Sequence, residues 1–472
     1  MTPTRRTVTA GLLALPVMSR TSRAASVPPP PAFAPSDALV IRPGDANYER
    51  FQASYSLRTE LRPALRILVR SPRGMAQAID WVRTRNLPFA LRSGGHSYEG
   101  FSQSSAVVID TRLMNDVSID GDLLSAGAGA TLGEIYRAAA GRGLGFPGGS
   151  CPTVGVTGHT LGGGFGLIAR KRGLACDSLE AIDLIDADAK PILADMRNNA
   201  DLFWACRGGG GGTLGAATRL RFRLAPIGRM AVYSVTWTLD VRSATALFRN
   251  WQDWANNAPD DITGIFRLSK RRDGRLSLHM AGQSLGSDVQ LRRELRALTG
   301  VAEPSIPLAM ASMSYMSAIN HFSGGWNHAS VLFKSKSDFI RGRLPDTGID
   351  TLIGGLAELP AGEVLVICDA YGGAIDRVPQ DATAFAYRAG TAFCIQYYTS
   401  WGNAGTGERR VADLRRFYAT MRPFSAGAYV NYCDLDLRDW PSAYWRENLA
   451  RLRAVKAKYD PENLFRHAQS VS

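Results

Sequence analysis

The sequence predicts a layered fold of strands and helices, in the α+β or α/β class. Between residues 65 and 142, strand-like apolar runs alternate with runs of helical spacing, in short units. Glycine-rich segments cluster between 141 and 215, and beyond Pro226 and Gly228 the glycine density falls and new patterns begin. We therefore expect a second domain there, and 472 residues are long enough for two sizeable domains.

The individual elements are predicted from local patterns of apolar residues. The predicted strands before the break are 65–69, 88–92, 106–110, 123–129 and 218–224. The predicted helices before the break are 74–85 and 131–142. Near the end of the chain, Leu449, Leu452 and Val455 lie on one face of a further helix, which Pro461 and Asn463 end.

Residues 1–25 have the layout of an export signal. Arg5 and Arg6 precede an apolar stretch, Ala10 to Val17, and small residues follow at 24–26. The paired arginines resemble a twin-arginine signal, so we expect the twin-arginine export machinery as a partner and a periplasmic or secreted location. An ordinary Sec signal and a disordered basic tail are the alternatives. Residues 26–60, rich in proline at their start, are predicted to form a linker and N-terminal segment.

Composition narrows the classes of partner. The apolar stretch in the signal is shorter than the about 20 residues that a membrane-spanning helix needs, and no other segment approaches that length, so we expect no membrane span. The formal net charge is +13, but no basic tract is interleaved with aromatic residues, so we expect no nucleic acid partner. The charge weakly favours anionic substrates or surfaces. The six cysteines show no metal-ligand spacing.

Two short loops each present a nucleophilic side chain among small residues. The first is RSGGHSY at 92–98, with His96, and the second is PGGSCPTVG at 147–155, with Cys151. Glycine lets backbone amides come close to a ligand, and repeated glycines at turns supply the N–H donors that a pyrophosphate needs. A plain tight turn is the alternative for any one such loop, and a lone cysteine is usually buried and inert.

These loops, with GVTGHTLGGGFG at 155–166 and DLFWACRGGGGG at 201–212, resemble the berberine-bridge-enzyme-like flavin oxidases. That family has the vanillyl-alcohol-oxidase type of FAD-binding fold. The resemblance extends from about residue 60 to the end of the chain. It implies an α+β fold, with an FAD-binding domain at 61–227 that is completed by a C-terminal segment at 428–472. It also implies an inserted substrate domain at 228–427, with an antiparallel sheet backed by helices.

The resemblance implies FAD as the cofactor, attached twice. In bicovalent members a histidine bonds the 8α methyl of the flavin and a cysteine bonds ring carbon 6, and His96 and Cys151 stand in the matching frames. The other residues implied in cofactor binding are Arg92, Ser93, Gly94, Gly95, Ser97, Val154, Gly155, Gly158, His159, Gly163 and Gly215. The family often has Asn-Phe where this chain has Thr213-Leu214, which puts the local contacts there in doubt.

The sequence supports a nicotinamide site and a metal site less well than it supports a flavin site. Residues 164–169 fit G-x-G-x-x-A, and Asp186 follows about 20 residues later, as the Rossmann fingerprint requires. That fingerprint must follow a hydrophobic strand, but the preceding residues are polar and rich in glycine. His321 and His328 lie close in sequence, but no third ligand is evident, so we expect no metal.

The substrate side of the site is predicted from three further motifs. Tyr429 and Tyr432 lie in YVNYCD, which is similar to the family's YxNYxD, and Gln396 matches the glutamine of IQY that faces the flavin. Asp369 is similar to the carboxylate that partners the tyrosine in carbohydrate-oxidising members. A tyrosine base needs its anion stabilised or a carboxylate to receive the proton. We expect Tyr432, rather than Tyr429, to be the base; packing in the core is the alternative for both.

The expected function is that of an exported FAD-dependent oxidoreductase. We expect it to oxidise an alcohol, such as the anomeric hydroxyl of a sugar, as its small-molecule substrate, with molecular oxygen as electron acceptor. The alternatives are a tailoring oxidase that acts on an amine or amino alcohol, and a non-catalytic flavin-binding protein. Trp326, Tyr371, Tyr398 and Trp401 are candidates for stacking on a flat-faced substrate, with core packing as the alternative. Whether the enzyme is an oxidase or a dehydrogenase stays open.

Overall fold

The computed structural model describes residues 27–59, 61–323 and 330–472. The predicted signal peptide and two of the candidate residues, Trp326 and His328, lie outside this range. Within it, the chain forms a four-stranded, a five-stranded and a seven-stranded sheet, together with a two-stranded ribbon of Leu144–Gly145 and Ala225–Pro226.

The four-stranded sheet carries the His96 loop. Its strands, in spatial order, are Ala38–Ile41, Leu65–Val69, Val107–Asp110 and Phe89–Arg92. The first pair is antiparallel and the other two pairs are parallel. Every residue of Leu65–Val69 is buried, as expected of a strand covered on both faces. The short helix Tyr48–Gln52 lies in the N-terminal segment, and Phe89–Arg92 leads directly into the His96 loop.

Helix boundaries in this region are set by their caps. The first long helix is Pro72–Thr84, two residues earlier than predicted, because the Ser71 hydroxyl accepts the Gly74 N–H at 3.0 Å and Pro72 suits the first helical position. The next helix, Leu132–Ala140, begins after Thr131, which forms a reciprocal capping box with Glu134. Both helices exist as predicted, with ends shifted by one or two residues.

The five-stranded sheet is antiparallel and carries the cysteine loop between its strands. Its strands, in spatial order, are Val117–Asp120, Leu123–Gly127, Ala216–Arg223, Leu179–Ile185 and Pro191–Asp195. The short helices Val156–Leu161, Ala169–Arg172 and Ala200–Ala205 lie in the connections. The C-terminal helices Trp440–Trp445 and Leu449–Tyr459 return to this core, where Trp445 and Leu452 are buried in one cluster with Trp204.

The seven-stranded sheet is antiparallel throughout. Its strands, in spatial order, are Ile306–Met313, Met230–Leu239, Leu276–Ser284, Ile262–Lys270, Leu365–Ala370, Thr391–Trp401 and Leu332–Arg341. The associated helices are Val241–Asn257, Asp288–Thr299, Tyr315–Ser323, Asp346–Glu358, Ala374–Arg377 and Gly407–Met421.

One face of the seven-stranded sheet is covered by helices. Phe266, Val366 and Ile395 point into a core that also contains Trp251 and Leu352 from those helices. The predicted α+β class and the predicted antiparallel sheet backed by helices are therefore confirmed. Among the helices in the described ranges, none combines the length and the apolar character needed to cross a membrane.

Candidate active site

A cavity of about 510 Å³ lies between the glycine-rich loops and the open face of the seven-stranded sheet. It is lined by all four predicted catalytic residues, Asp369, Gln396, Tyr429 and Tyr432. It is also lined by these predicted cofactor residues: Arg92, Ser93, Gly94, Gly95, His96, Ser97, Cys151, Val154, Gly155, Gly158, His159 and Gly215. Gly163 is the exception, because it is not part of the lining and a Cβ built there would lie 2.7 Å from the Phe385 ring.

The two nucleophile loops touch each other through glycine backbone. A Cβ built on Gly94 would lie 2.2 Å from the Gly155 nitrogen, and one built on Gly155 would lie 2.3 Å from the Ser93 hydroxyl. Any larger residue at either position would therefore push the loops apart. These glycines were predicted to contact a ligand, and they also allow the two loops to pack on each other.

The His96 loop fits a pyrophosphate. The main-chain N–H groups of Gly94, Gly95 and Ser97 donate to no acceptor in the described ranges, and Gly95 has a φ of +72°, so the loop forms a concave array of donors. The Ser93 hydroxyl donates to the Ala128 carbonyl at 2.8 Å instead of pointing to a ligand. In this structure the Ser93 hydroxyl therefore joins the loop to the residue that precedes Gly129.

Arg92 supports the loop from below. Its guanidinium donates to the Ser54 hydroxyl at 2.7 Å and to the Ala53 carbonyl. Burial lowers the pKa of Arg92 to about 9, with the nearby charge of Arg112 acting in the same direction. The guanidinium is thus engaged with the N-terminal segment, although the residue lines the cavity.

His96 and Cys151 face the same cavity from their two loops. The His96 Nε2 is hydrogen-bonded to the Thr153 hydroxyl at 2.9 Å, and its ring stacks on Tyr55 with centroids 4.6 Å apart. Burial raises the pKa of the Cys151 thiol, while a hydrogen bond from Ser150 and the charge of Arg267 act against this rise. Both side chains are placed so that one ligand can contact them together.

His159 lines the cavity, and its imidazole is uncharged near neutral pH. Burial lowers the pKa of its imidazole to about 4. Its Nε2 accepts the Gly149 N–H at 3.2 Å, which fixes the tautomer with the proton on Nδ1. Its main-chain carbonyl accepts from the Asn431 amide at 3.0 Å, so it also joins the glycine-rich loop to the C-terminal segment.

The open face of the seven-stranded sheet supplies the opposite wall. Side chains alternate along each strand, so Leu365, Ile367 and Asp369 face the cavity while Val366 and Cys368 face the helices. Across the strands, one row of paired residues consists of Thr236, His279, Arg267, Ile367, Gln396 and Ser337. The sequence analysis found Gln396 in this row but missed Arg267, because no motif marks it.

Asp369 and Tyr432 are the two groups that could take a proton from a substrate. Asp369 is 6% exposed, and burial raises the pKa of its carboxyl to about 7, with Arg267 acting against the rise. Burial, followed by the charge of Asp369, raises the pKa of Tyr432 well above its usual value. The Tyr432 ring stacks on Tyr98 at 5.5 Å, and its hydroxyl makes no hydrogen bond within the described ranges.

Tyr429 has a different environment. Its hydroxyl accepts hydrogen bonds from the Gly164 N–H and from the Asn431 amide, both at 3.0 Å. These bonds hold the glycine-rich loop against the C-terminal segment. The hydroxyl of Tyr432 is therefore better placed than that of Tyr429 to meet a substrate, which supports the preference stated above.

An ion network anchors the segment that carries Tyr432. The Lys334 ammonium donates to Glu99 and to Asp434, both at 2.5 Å, and the Lys336 ammonium donates to Asp434 at 2.7 Å and to Asp436 at 2.9 Å. Both lysines are almost fully buried. Because a buried charge is tolerated only when it is paired, this network fixes the C-terminal segment to the edge strand of the sheet.

Of the three described candidates for stacking on a substrate, two lie outside the cavity wall. Tyr371 is 1% exposed and stacks on Phe165 at 4.9 Å, so it belongs to the core and is not a substrate platform. Trp401 packs against Gly407 and is not in the cavity wall, whereas Tyr398 is. The Rossmann alternative is wrong, because the element before residue 164 is the helix Val156–Leu161 instead of a strand.

The six cysteines are free thiols in this structure. Five of them are buried, and Cys151 alone is partly exposed. This fits the expectation that most are small buried hydrophobes.

The fold and the cavity define a flavoprotein of the vanillyl-alcohol-oxidase type. Residues 63–194 match the family model described as FAD binding domain, and residues 428–472 match the model described as Berberine and berberine like. The uncharacterised FAD-linked oxidoreductase YgaK of Bacillus subtilis is 33% identical, over 92% of this chain and 96% of its own length. Reticuline oxidase of Eschscholzia californica is 32% identical, over 87% of this chain and 83% of its own length.

A solved structure shows the same architecture. Physcomitrella patens BBE-like 1 superposes with a TM-score of 0.86 at 27% identity, over 93% of this chain and 97% of that one. The chain belongs to the berberine-bridge-enzyme-like family, and it is an FAD-linked oxidoreductase. The predicted family, the fold class and FAD as the cofactor are thereby confirmed, whereas its attachment to His96 and Cys151 stays a prediction.

Proposed function

We propose that this enzyme holds FAD through two covalent bonds, at His96 and Cys151, and oxidises an alcohol to a carbonyl compound. The proposal rests on one observation. The two nucleophiles, His96 and Cys151, line the same cavity as Asp369 and Tyr432. The unpaired N–H donors of the His96 loop would receive the pyrophosphate. FAD, when bound, would supply the hydride acceptor for the substrate carbon, and molecular oxygen would take up the electron pair to give hydrogen peroxide.

The residues of this chain would handle the proton. As the C–H bond breaks, the neutral Tyr432 hydroxyl accepts the proton of the substrate hydroxyl and passes its own proton to the Asp369 carboxylate. A carboxyl with a pKa of about 7 is half ionised near neutral pH, so it can receive this proton and release it between turnovers. Gln396, whose amide donates to Tyr98 at 3.2 Å and to Ser335 at 3.0 Å, holds the ring that stacks on Tyr432.

The attachment is tested by acid precipitation of purified protein. We expect yellow colour to stay with the precipitate from the parent protein and from each single variant, His96→Ala and Cys151→Ala, because one bond remains in each. The double variant should release FAD into the supernatant. Complete loss of flavin from the unmutated protein would refute the bicovalent proposal.

The substrate class is tested by turnover. Sugars, other alcohols and amines are supplied to the holoenzyme, and peroxide formation and flavin bleaching are followed. Reduction by an alcohol supports the proposal. If amines reduce the flavin and alcohols do not, the enzyme is a tailoring oxidase that acts on amines. Flavin bleaching without peroxide formation indicates a dehydrogenase.

We also propose that the protein is exported in folded form to the periplasm or beyond. The support is the arrangement of paired arginines, apolar stretch and small residues in 1–25. Changing Arg5→Lys together with Arg6→Lys should leave a flavin-loaded precursor in the cytoplasm. Unchanged export of that variant would contradict the twin-arginine route.

A further inference from the structure

Arg267 is an arginine without a partner in the wall of the active-site cavity. It lies on the strand Ile262–Lys270, half-buried, and lines the cavity. Its guanidinium makes no hydrogen bond or ion pair within the described ranges. The fully buried arginines in the described part of the chain all have partners, which are Asp110 for Arg66, Ser54 for Arg92, the Ala255 carbonyl for Arg170 and Asp177 for Arg388.

The sheet gives Arg267 no acid of its own. In its row the paired neighbours are His279 on one side and Ile367 on the other. The imidazole of His279 is hydrogen-bonded to the Thr236 hydroxyl at 2.8 Å, and burial, followed by the charge of Arg267, lowers its pKa. A neutral imidazole supplies no negative charge to Arg267. The carboxyl on this face, Asp369, lies one row away, and no ion pair joins it to Arg267 within the described ranges.

The guanidinium shares the cavity with two groups that its charge influences. Arg267 lines the cavity together with Cys151 and Asp369, and it lies one row along the sheet from Asp369, because Arg267 pairs with Ile367. Its positive charge acts to lower the pKa of both the Cys151 thiol and the Asp369 carboxyl. Tyr398 lines the same part of the cavity, and burial keeps its hydroxyl protonated as a donor. A cation and a hydroxyl donor therefore face a space into which the substrate must enter.

We propose that Arg267 binds a carboxylate on the substrate, so that the enzyme acts on an alcohol that carries an acid group, such as a hydroxy acid or a sugar acid. This proposal rests on the proposed oxidation of an alcohol at Asp369 and Tyr432. A planar guanidinium matches a carboxylate in a bidentate pair, which also orients the ligand. Pairing with Arg267 neutralises the substrate anion and keeps it apart from the Asp369 carboxylate.

The test compares an anion with its neutral isostere in the holoenzyme. Benzoate and benzamide have nearly the same shape, and binding of either next to the flavin is followed by the change in flavin absorbance. We expect benzoate to bind about 10- to 100-fold more tightly than benzamide, the usual gain from a charge-assisted pair. Equal affinities in the unmutated enzyme would overturn the proposal without any variant.

Two variants and one control assign the preference to Arg267. Arg267→Met should abolish the preference, whereas Arg267→Lys should keep part of it, because a lysine retains the charge and loses the bidentate geometry. Arg272→Met removes an exposed arginine beyond the end of the same strand and should leave the preference intact. Flavin content and melting temperature are recorded for each variant. A preference for benzoate that survives in folded Arg267→Met would overturn the assignment.

The outcomes separate this proposal from the proposed function. If the benzoate preference depends on Arg267 and yet no alcohol reduces the flavin, the anion site stands and the alcohol oxidation fails. If neutral alcohols reduce the flavin faster than their carboxylated analogues, and Arg267→Met leaves both rates unchanged, the oxidation stands and the anion site fails.

Discussion

Replacing Asp369 with asparagine should stabilise the protein, and more so as the pH rises from 4 to 7. The same replacement should make the enzyme less active. The carboxyl is buried on the cavity side of the strand Leu365–Ala370, and burial raises its pKa to about 7 from 3.8. The unfolded chain ionises this group near its usual value, so the folded state holds a proton that the unfolded state has lost between about pH 4 and 7.

The sign of the effect follows from this proton. Below about pH 4 the carboxyl is neutral in both states, and aspartate and asparagine should stabilise equally. As the pH rises to 7, the free energy of unfolding of the parent protein falls, because burying the carboxylate becomes unfavourable. Above pH 7 this loss in the free energy of unfolding no longer changes with pH. A pKa near 7 instead of 3.8 corresponds to a loss of about 4 kcal/mol. Asp369→Asn should recover that amount at pH 8.5 and little at pH 4.5.

Denaturant unfolding at several pH values measures this difference. Asp350→Asn serves as the matched control, because Asp350 is exposed on the helix Asp346–Glu358 and its replacement should change stability little at any pH. Reduction of the flavin by substrate should slow about 10²- to 10⁴-fold in Asp369→Asn, the usual value of a lost general base. A stability difference between parent and Asp369→Asn that does not grow between pH 4.5 and 8.5 would refute the reasoning about the buried charge.

The remaining predictions concern groups around the same cavity. Tyr432→Phe should slow flavin reduction by about 10²- to 10⁴-fold in rapid mixing and add little to Asp369→Asn, because the two act as one unit; a near-normal rate would move the role to another residue. Gly94→Ala should lower flavin content and melting temperature, since its Cβ would meet the Gly155 nitrogen at 2.2 Å, whereas Gly228→Ala, which meets no atom within 4 Å, should change neither. Lys334→Met should destabilise the protein by about 3 kcal/mol in denaturant unfolding, at the lower end of the cost of breaking a buried ion pair, because Glu99 and Asp434 each lose one of two cationic partners; a loss below about 1 kcal/mol would show that the remaining cations compensate.

The sequence was informative where the determining contacts are local. A continuous apolar run marks the strand Leu65–Val69, and the glycines around His96 and Cys151 mark loops that can approach a ligand. These features depend on neighbours within a few residues, so a single sequence reveals them. The sequence names the two tyrosines of the C-terminal motif and favours Tyr432, but it does not reveal the physical difference between them, which is that the Tyr429 hydroxyl accepts the Gly164 N–H.

Contacts between distant segments could not be predicted. Glu99 and Lys334 are 235 residues apart in sequence and form a buried pair, and neither lies in a recognisable motif. Arg267 resembles any arginine on a half-buried strand until the register across several strands places it in the cavity wall. Gly163 was assigned to the flavin from its motif, but its positive φ of 109° and its contact with Phe385 concern the backbone path instead.

The order in which the walls of the cavity are synthesised has a consequence for maturation. Both nucleophiles lie in the first third of the chain. The groups that hold the glycine-rich loop lie near its end: the Tyr429 hydroxyl accepts the Gly164 N–H, and the Asn431 amide donates to the His159 carbonyl. Domains generally fold as they emerge from the ribosome, starting at the N-terminus, so the loops of His96 and Cys151 are made before the segment that closes the cavity. Under the proposed attachment, the flavin site is therefore complete only after the C-terminal segment has been made, and a chain truncated before residue 429 would lack the contacts of Tyr429 and Asn431 with the glycine-rich loop.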